Sequence, residues 1–340
     1  MDLRLDHIEL FYYKIPYLLP ITSGNYFYWR EGLILFLYDK DGAFGIGEVA
    51  PLEGISKETL RDCISQINEL SESLPKLTQA GLKRYYPSVR FGLESAILSI
   101  QAKKEKRNIA ELLSKTRKEK IKISALITEK NLYETEELIS LGYSSFKIKV
   151  SSPDQWKIVS LVRDIVGEDA EIRIDANAIL PFKDAISFAK KIIQFKPSYI
   201  EDPTKELEKI KDFFFKTNLF VGIDKHLEKS SLRYGPHIKA WIIKPGIVGG
   251  LTESLLLIKE AEERGIYPVL SNPFYSGIGT SMLIIMASSI LDDIAMGFDP
   301  YRWIKEDILK EPLSIKKGAF LVSEVENKID EINIKRLTLC

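Results

Sequence analysis

The sequence contains little that would suggest a disulfide-bonded or redox protein. Cys63 and Cys340 are its only two cysteines, and they do not form a pair with the spacing of a metal or redox motif. Such a composition is typical of a reducing compartment, and we expect a cytoplasmic protein.

An excess of charge of either sign is absent as well. The chain has 48 basic and 48 acidic side chains, so it lacks the long-range field that would hold a polyanion. We therefore expect neither nucleic acid nor a membrane surface as its main partner. The segment Met1–His7 carries acidic residues where a secretion signal has basic ones, and we expect no export.

Long apolar runs are missing too. The longest, Met282–Leu291, is interrupted by serines and is shorter than the ~20 residues of a membrane span, so we predict a buried helix there. What remains is a composition typical of a globular protein, with 45% hydrophobic and 28% charged residues. A length of 340 residues fits two domains, or one large barrel with a smaller companion.

The first third of the chain has the pattern of a small α+β domain. Alternating segments at Ile8–Ile15 and Gly32–Tyr38 predict an antiparallel meander. Two stretches with helical spacing follow, Lys57–Leu74 and Val89–Lys106.

From Ile121 onward, short β-rich runs alternate with amphipathic stretches, which is typical of parallel βα units. Their spacing fits a barrel of parallel strands. We predict eight strands: Ile121–Ile127, Phe146–Val150, Glu171–Asn177, Tyr199–Pro203, Phe220–Asp224, Ala240–Pro245, Tyr267–Asn272 and Ile294–Phe298.

Charged residues end several of these apolar strands, where the active site of such a barrel lies. Lys147 and Lys149 are two residues apart and so project to one face of their strand. Their mutual repulsion would lower the pKa of one amine and favour its neutral form. The alternative, a charged edge strand, fits the pair taken alone but not its place in a βα series.

Three carboxylates end successive strands, Asp175, Glu201 and Asp224. Acids that meet at one barrel mouth repel one another unless a cation holds them together. Because the site offers only oxygen ligands, Mg²⁺ is favoured over zinc, with Mn²⁺ as a substitute. We interpret the neighbouring Asp202, which precedes a proline, as a helix cap.

Lys244 ends a further strand and supplies a cation on the far side of the barrel from Lys147 and Lys149. A substrate carboxylate at the metal would have its neighbouring carbon within reach of a lysine. Positive charge around it would stabilise the enediolate that forms when the α-proton leaves. The pattern therefore predicts proton abstraction beside a carboxylate, and hence a small-molecule carboxylate substrate.

This order of strand-end residues resembles the muconate-lactonizing subgroup of the enolase superfamily. Within that subgroup the chain is most similar to the o-succinylbenzoate synthases, in Gly45–Thr59, Pro87–Glu94 and Gly297–Trp303. The resemblance implies a (β/α)7β TIM-type barrel over residues 116–309. It also implies an α+β capping domain over residues 1–115, completed by a tail of about 310–340.

The resemblance also implies roles. Asp175, Glu201 and Asp224 would bind magnesium, and Lys149 would be the base and then the acid of a syn dehydration. The substrate would be 2-succinyl-6-hydroxy-2,4-cyclohexadiene-1-carboxylate, in menaquinone synthesis. Lys147 would orient Lys149 and lower its pKa, and Lys244 would stabilise charge over the ring.

Substrate contacts are expected from two capping loops and from several barrel strand ends. Arg173 has an alternative role in a structural ion pair. The expected contacts are Ser23, Gly54, Ile55, Arg173, Asn177, Ser271, Asn272, Gly277 and Gly279.

The sequence departs from the family pattern at two places. Lys225-His226 follows Asp224 where the family has an acidic residue, which could weaken metal binding, and Leu180 replaces a common tryptophan. A monomer and a homo-oligomer are both compatible with the sequence.

Three other functions use the same residues. An N-acylamino acid racemase or dipeptide epimerase would exchange the proton between Lys149 and Lys244. A Schiff-base aldolase would use a strand-end lysine, although the three carboxylates would then be superfluous. A non-catalytic barrel is disfavoured because all six polar strand-end residues are present.

Overall fold

The computed structural model of the chain describes residues 4–23, 25–72, 74, 79–227 and 230–340, although the side chains of residues 19–26, 79–80 and 230–231 are not described. Its elements form a capping domain, a barrel and a C-terminal tail. Within the described ranges, no helix is both long and apolar enough to cross a membrane.

The capping domain contains an antiparallel sheet whose strands come mostly from the amino-terminal part of the chain. Its elements are β1 (Leu5–Ser23), β2 (Asn25–Asp39), β3 (Phe44–Val49), α1 (Leu60–Ser71), α2 (Gln79–Leu82), α3 (Pro87–Glu105) and α4 (Ile109–Leu113). Helix α3 crosses β3 closely, since a Cβ atom on Gly45 or Gly47 would lie 1.9 Å from a carbonyl oxygen of α3. Glycine is the one residue that permits this backbone contact.

Strands of the barrel follow one another in a single parallel sheet in chain order. They are preceded by the short strand β4 (Lys120–Lys122). The seven strands are β5 (Ser124–Ile127), β6 (Ser145–Lys149), β7 (Glu171–Asp175), β8 (Tyr199–Glu201), β9 (Val221–Ile223), β10 (Ile238–Ile243) and β11 (Tyr267–Leu270).

Helices connect these strands on the outside of the barrel. They are α5 (Thr135–Ser140), α6 (Trp156–Val166), α7 (Phe182–Ile192), α8 (Ile210–Thr217), α9 (Ser230–Arg233), α10 (Pro245–Val248), α11 (Gly250–Glu263) and α12 (Gly277–Ala287). All residues of α12 are buried, so the prediction of a buried helix in this region is confirmed, with a start five residues earlier than expected.

The barrel closes through two single bridges rather than a full eighth strand. Met296 pairs with Ile123 and Gly297 pairs with Ser271, both in parallel. The predicted barrel architecture is confirmed, but the predicted strand Ile294–Phe298 shrinks to these two residues. The predicted strand Ile121–Ile127 is divided, because β4 turns away from the barrel to pair with the tail.

The tail contains β12 (Ala319–Leu321), α13 (Val322–Lys328) and β13 (Leu337–Leu339). Strand β13 joins the capping sheet beside β1, in the order β13-β1-β2-β3. The chain end therefore returns to the sheet in which it began.

Two buried residues connect the capping domain to the barrel. Glu48 of β3 accepts hydrogen bonds from the Ser276 and Gly279 amides, at 3.0 and 2.7 Å, where α12 begins. Arg30 of β2 donates to the Phe274 carbonyl at 3.0 Å and to the Pro51 carbonyl at 2.8 Å. These contacts fix the two loops that face each other above the barrel mouth.

Candidate active site

Six charged side chains at the ends of five neighbouring strands line one cavity at the carboxyl end of the barrel, together with Arg173 from within β7. This arrangement follows from the parallel sheet, in which all strand ends lie at the same edge. The six residues are Lys147, Lys149, Asp175, Glu201, Asp224 and Lys244. The structure thus brings together the whole set of acids and lysines that we singled out in the sequence.

Lys147 lies between two of the carboxylates. Its Nζ is 3.0 Å from Asp175 Oδ2 and donates to Glu201 Oε2 at 3.1 Å. Burial opposes the charge on this amine, but Asp175 and Glu201 outweigh it and hold the pKa of Lys147 well above its ordinary value. Lys147 is therefore a fixed cation and not a proton acceptor.

The carboxylates respond differently to this crowding. Burial raises the pKa of Asp175, but the amines of Lys147 and Lys149 outweigh it, and the net pKa is lowered. For Glu201, burial dominates and the nearby Asp175 and Asp224 add to it, so the pKa rises to about 7 despite Lys147. Glu201 and Lys147 thus both shift upward, because burial and then the two other acids outweigh Lys147 at Glu201, whereas the acids outweigh burial at Lys147.

Lys149 has a different environment from Lys147, although both belong to β6. Its side chain is exposed toward the mouth of the cavity, and no hydrogen bond or ion pair holds its amine within the described part of the chain. Enough protein surrounds it that burial is the largest influence and lowers its pKa; Lys147, Lys244 and Lys225 lower it further, while Asp175 opposes them. Lys149 therefore loses its proton more readily than Lys147 does.

Lys244 and Asp224 form a close pair on the opposite side of the cavity. The amine donates to both carboxylate oxygens, at 2.6 and 2.5 Å. Asp224 is thus held by a different lysine from the one that holds Asp175 and Glu201.

Three residues beside the cavity or next to its charged residues have strained backbone. Asn177, Asp202 and Phe274 have φ angles of 50°, 41° and 60°, a region that residues other than glycine rarely adopt. Asn177 Nδ2 donates to Asp175 Oδ1 at 2.8 Å and so orients that carboxylate. Such strain is typical of sites whose geometry the surrounding structure enforces.

Asp202 does not cap a helix as we predicted. Its buried carboxylate instead accepts hydrogen bonds from the backbone amides of Asp224 and Lys225, at 3.2 and 2.9 Å. It therefore fixes the turn after β9 on which Asp224 lies. The sequence could not reveal this contact, because the two partners are more than twenty residues away on the next strand.

The donor set fits a hard divalent cation. As the side chains stand, the described residues contain no group of three or more His, Cys, Asp or Glu side chains close enough together to hold a metal. Yet Asp175, Glu201 and Asp224 line one cavity, and each directs an oxygen at an ammonium group. Carboxylate oxygens are ligands that magnesium prefers. Here these oxygens already face positively charged groups, the amines of Lys147 and Lys244.

Two connected cavities lead from these charges to the surface. The inner one holds about 120 Å³ and the outer one about 720 Å³, and both are lined by Leu52, Ile55, Lys149, Asn177 and Phe274. A small-molecule site usually has ~300–1,000 Å³. The inner cavity alone is smaller than this range, so a ligand of ordinary size would also extend into the outer one.

Several expected substrate contacts lie at these cavities. Gly54 lines the outer one, Ile55 and Asn177 line both, and Ser271 lines the inner one. Ser23 cannot be placed in this way, because its side chain lies outside the described residues. Leu52 and Phe274 also line both cavities; they carry no charge and have no distinctive spacing, so nothing in the sequence singled them out.

The side chains of two other expected contact residues already bond to groups of the protein itself. Arg173 lines the inner cavity, but it is buried in an ion pair with Glu171 at 2.8 Å and donates to the Ala295 carbonyl at 2.8 Å. This is the structural alternative noted for that residue. The Asn272 amide likewise donates to Thr280 Oγ1 at 2.9 Å.

Gly277 and Gly279 do not line either cavity, and each lies in close contact with a buried acid. The Gly277 amide donates to Asp307 at 2.8 Å, and a Cβ at that position would lie 2.3 Å from the same carboxylate. A Cβ on Gly279 would lie 2.9 Å from Glu48 Oε2. These glycines let α12 begin against two buried acids, and contact between either glycine and a substrate stays a prediction.

Two known families match parts of this chain. Residues 132–227 match the family described as Enolase C-terminal domain-like, and residues 5–100 match the family described as MenC, N-terminal domain. The two matches lie in the barrel and in the capping domain respectively.

Curated relatives cover most of the chain. The Arabidopsis thaliana protein "Protein PHYLLO, chloroplastic" is 29% identical over 86% of this chain, which spans about a fifth (20%) of that protein's length. The o-succinylbenzoate synthase of Pasteurella multocida is 27% identical, over 86% of this chain and 88% of that enzyme.

A solved structure supports the fold. The dipeptide epimerase of Enterococcus faecalis V583, complexed with Mg and the dipeptide L-Leu-L-Tyr, superposes with a TM-score of 0.85 over 98% of this chain and 99% of that one. The two sequences are 18% identical, so this similarity supports a conclusion about the fold alone.

Proposed function

We propose that this chain, which belongs to the enolase superfamily, catalyses the o-succinylbenzoate synthase reaction. The reaction is the syn dehydration of 2-succinyl-6-hydroxy-2,4-cyclohexadiene-1-carboxylate, a carbon–oxygen lyase step of menaquinone biosynthesis. The observation that carries the proposal is the place of Lys149, which lines the same cavity as three strand-end carboxylates but, among the described residues, is bonded to none of them. A base of this kind beside a cation site suits a weak carbon acid.

Asp175, Glu201 and Asp224 would hold a magnesium ion, with manganese as a substitute. When bound, the ion would neutralise the substrate carboxylate and stabilise negative charge on it. The preference for these metals rests on the all-oxygen donor set.

Lys149 carries the proton in this scheme. Its neutral amine accepts the proton from the carbon beside the carboxylate as that carbon–hydrogen bond breaks. The resulting ammonium then donates a proton to the departing hydroxyl on the same face, and water leaves as the carbon–oxygen bond breaks. The ring becomes aromatic, and Lys149 returns to its neutral form.

The two other lysines supply charge without exchanging protons. Lys147 remains protonated between Asp175 and Glu201, so it adds positive charge beside the substrate carboxylate and lowers the pKa of Lys149. Lys244 faces Lys149 across the cavity and would stabilise negative charge that develops on the ring through a cation–π contact.

Racemisation of N-acylamino acids or epimerisation of dipeptides is the second candidate. The position of Lys149 and Lys244 on opposite sides of the cavity favours it, since a two-base reaction needs an amine on each face. Against it, Lys244 is paired with both oxygens of Asp224 and is less suited than Lys149 to accept a proton.

The test is a direct assay of the purified protein with the cyclohexadiene substrate, with and without magnesium, beside an assay with N-succinylamino acids. We expect metal-dependent dehydration that falls at least ~10³-fold in Lys149→Ala. Lys183→Ala, which removes an exposed lysine of α7, is the matched control and should leave turnover unchanged.

Each outcome separates one assignment from another. Near-native dehydration by Lys149→Ala would show that another group is the base. Racemisation without dehydration would favour the second candidate. Trapping of the enzyme by borohydride with a carbonyl substrate would point instead to a Schiff-base mechanism.

We further propose a cytoplasmic location, since both cysteines are free thiols and Cys340 is exposed.

A further inference from the structure

Lys225 is a lysine of the outer cavity that the proposed mechanism does not use. It follows Asp224 directly and lines the outer cavity together with Lys149 and Asn177. Its side chain is exposed, so the amine has access to molecules that enter this cavity.

Two contacts from neighbouring loops fix Lys225 in place. Its backbone amide donates to the buried Asp202 carboxylate at 2.9 Å. Its Nζ donates to the Asn177 carbonyl at 2.5 Å. An ammonium group has three N–H donors, so this contact leaves two for a ligand. The amine is thus pre-positioned in the outer cavity beside Asn177, a residue that lines both cavities, which reduces the entropy cost of binding an anion there.

The other basic residues of the outer cavity are less suited to hold an anion. Arg30 is buried, and its guanidinium already donates to the backbone carbonyls of Phe274, Pro51, Ala50 and Glu31. Lys149 is the base of the proposed reaction. Lys57 is exposed on the capping side, and no contact fixes its amine within the described residues.

We propose that the Lys225 ammonium binds the second carboxylate of a dicarboxylate substrate, the one at the end of the side chain that extends into the outer cavity. The inference rests on the proposed function, because it takes the ring carboxylate to lie at Asp175, Glu201 and Asp224. Lys225 is then a specificity-determining residue that favours substrates with a terminal anionic group over neutral ones.

The shared lining of the outer cavity supports this role. Lys225 and Lys149 both line it, and the Lys225 amine donates to the carbonyl of Asn177, which lines both cavities together with Lys149. A substrate whose reacting carbon faces Lys149 would therefore bring a side chain of a few carbons within reach of Lys225.

The test compares Lys225→Gln, Lys225→Arg and Lys57→Gln in the purified magnesium-loaded enzyme. Glutamine keeps a donor for the Asn177 carbonyl and removes the charge, so the fold of the loop should be retained. We expect Lys225→Gln to raise KM for the cyclohexadiene dicarboxylate about tenfold with a smaller change in kcat. Lys225→Arg should restore most of the affinity, and Lys57→Gln should change KM less than about twofold.

A binding measurement with the product separates this role from a structural one. Wild-type enzyme should bind o-succinylbenzoate about tenfold more tightly than its side-chain amide, and Lys225→Gln should bind the two equally. Binding of the dicarboxylate by wild type should also weaken with added salt more steeply than binding by Lys225→Gln.

Three results would overturn the inference. One is an unchanged KM in Lys225→Gln while dehydration persists, which would leave the proposed function standing. Another is an effect of Lys57→Gln as large as that of Lys225→Gln. Absence of dehydration by the wild-type enzyme with magnesium would overturn the proposed function, and this inference with it.

Discussion

Replacing Glu48 with alanine should lower the free energy of unfolding by about 4 kcal/mol. Glu48 is 1% exposed and accepts four hydrogen bonds at the junction of the two domains. The Ser276 and Gly279 amides donate to it at 3.0 and 2.7 Å. The Tyr13 and Ser276 hydroxyls also donate, each at 2.5 Å.

The magnitude follows from what the change leaves behind. Two backbone amides at the start of α12 would be buried without an acceptor, at a cost of ~1–3 kcal/mol each. The hydroxyls of Tyr13 and Ser276 can rotate toward other acceptors and would add less. The wild type also bears a cost for burying this carboxylate, and the same burial raises the pKa of Glu48. The alanine variant no longer bears that cost, which offsets part of the loss. These contributions give the net value of about 4 kcal/mol.

The measurement is the denaturant midpoint of Glu48→Ala against wild type, followed by circular dichroism. Glu9→Ala is the matched control, because Glu9 lies in β1, is partly exposed, and accepts one hydrogen bond from Tyr38 at 2.9 Å. It should cost less than about 1 kcal/mol. KM should also rise in Glu48→Ala, since Phe274 lines both cavities two residues before Ser276. A loss in Glu48→Ala no larger than in the control would refute the reasoning.

Two further predictions concern the acids and amines of the cavity. Because Lys149 must be neutral to accept a proton and its pKa is lowered from 10.5, kcat/KM should rise with pH and level off below that value. Lys225→Gln removes a positive neighbour and should move this limb to higher pH; a pH profile with the limb unmoved or moved lower would contradict the assignment. Asp202→Asn should weaken magnesium binding roughly tenfold. The asparagine side chain has one carbonyl oxygen in place of the two carboxylate oxygens that accept from the backbone N–H groups of Asp224 and Lys225. Equal magnesium affinity of variant and wild type in calorimetric titrations would contradict this prediction.

Residues at the ends of strands were predictable because the barrel places them by a simple rule. Parallel strands in sequence order put all their carboxyl ends at one edge, so Asp175 and Glu201 had to lie near each other once the βα repeat was identified. The alternation of side chains along β6 likewise required Lys147 and Lys149 to share a face. Both the neighbouring strand ends and the shared face can be inferred from the local sequence.

Contacts between distant segments were not predictable in the same way. The Asp202 carboxylate looked like a helix cap because its partners lie on the next strand. The packing of Gly277 and Gly279 was likewise hidden, because nothing near them in sequence indicates that Asp307 and Glu48 occupy the adjoining space. In each case the deciding partner comes from another element, and a single sequence does not reveal such pairs.

The three lysines of the cavity differ in function through their partners, not through their chemistry. Lys147 has two carboxylates, Lys244 has both oxygens of one, and Lys149 has no bonded carboxylate among the described residues. Burial and the neighbouring amines lower the pKa of Lys149, whereas two carboxylates hold the pKa of Lys147 above its ordinary value. The same barrel edge that gathers acids for a cation therefore also distinguishes the lysine that can act as a base from the lysine that stays charged. For this reason a substitution that unpairs Lys147 or Lys244 changes which amine can accept a proton, even if every lysine is retained.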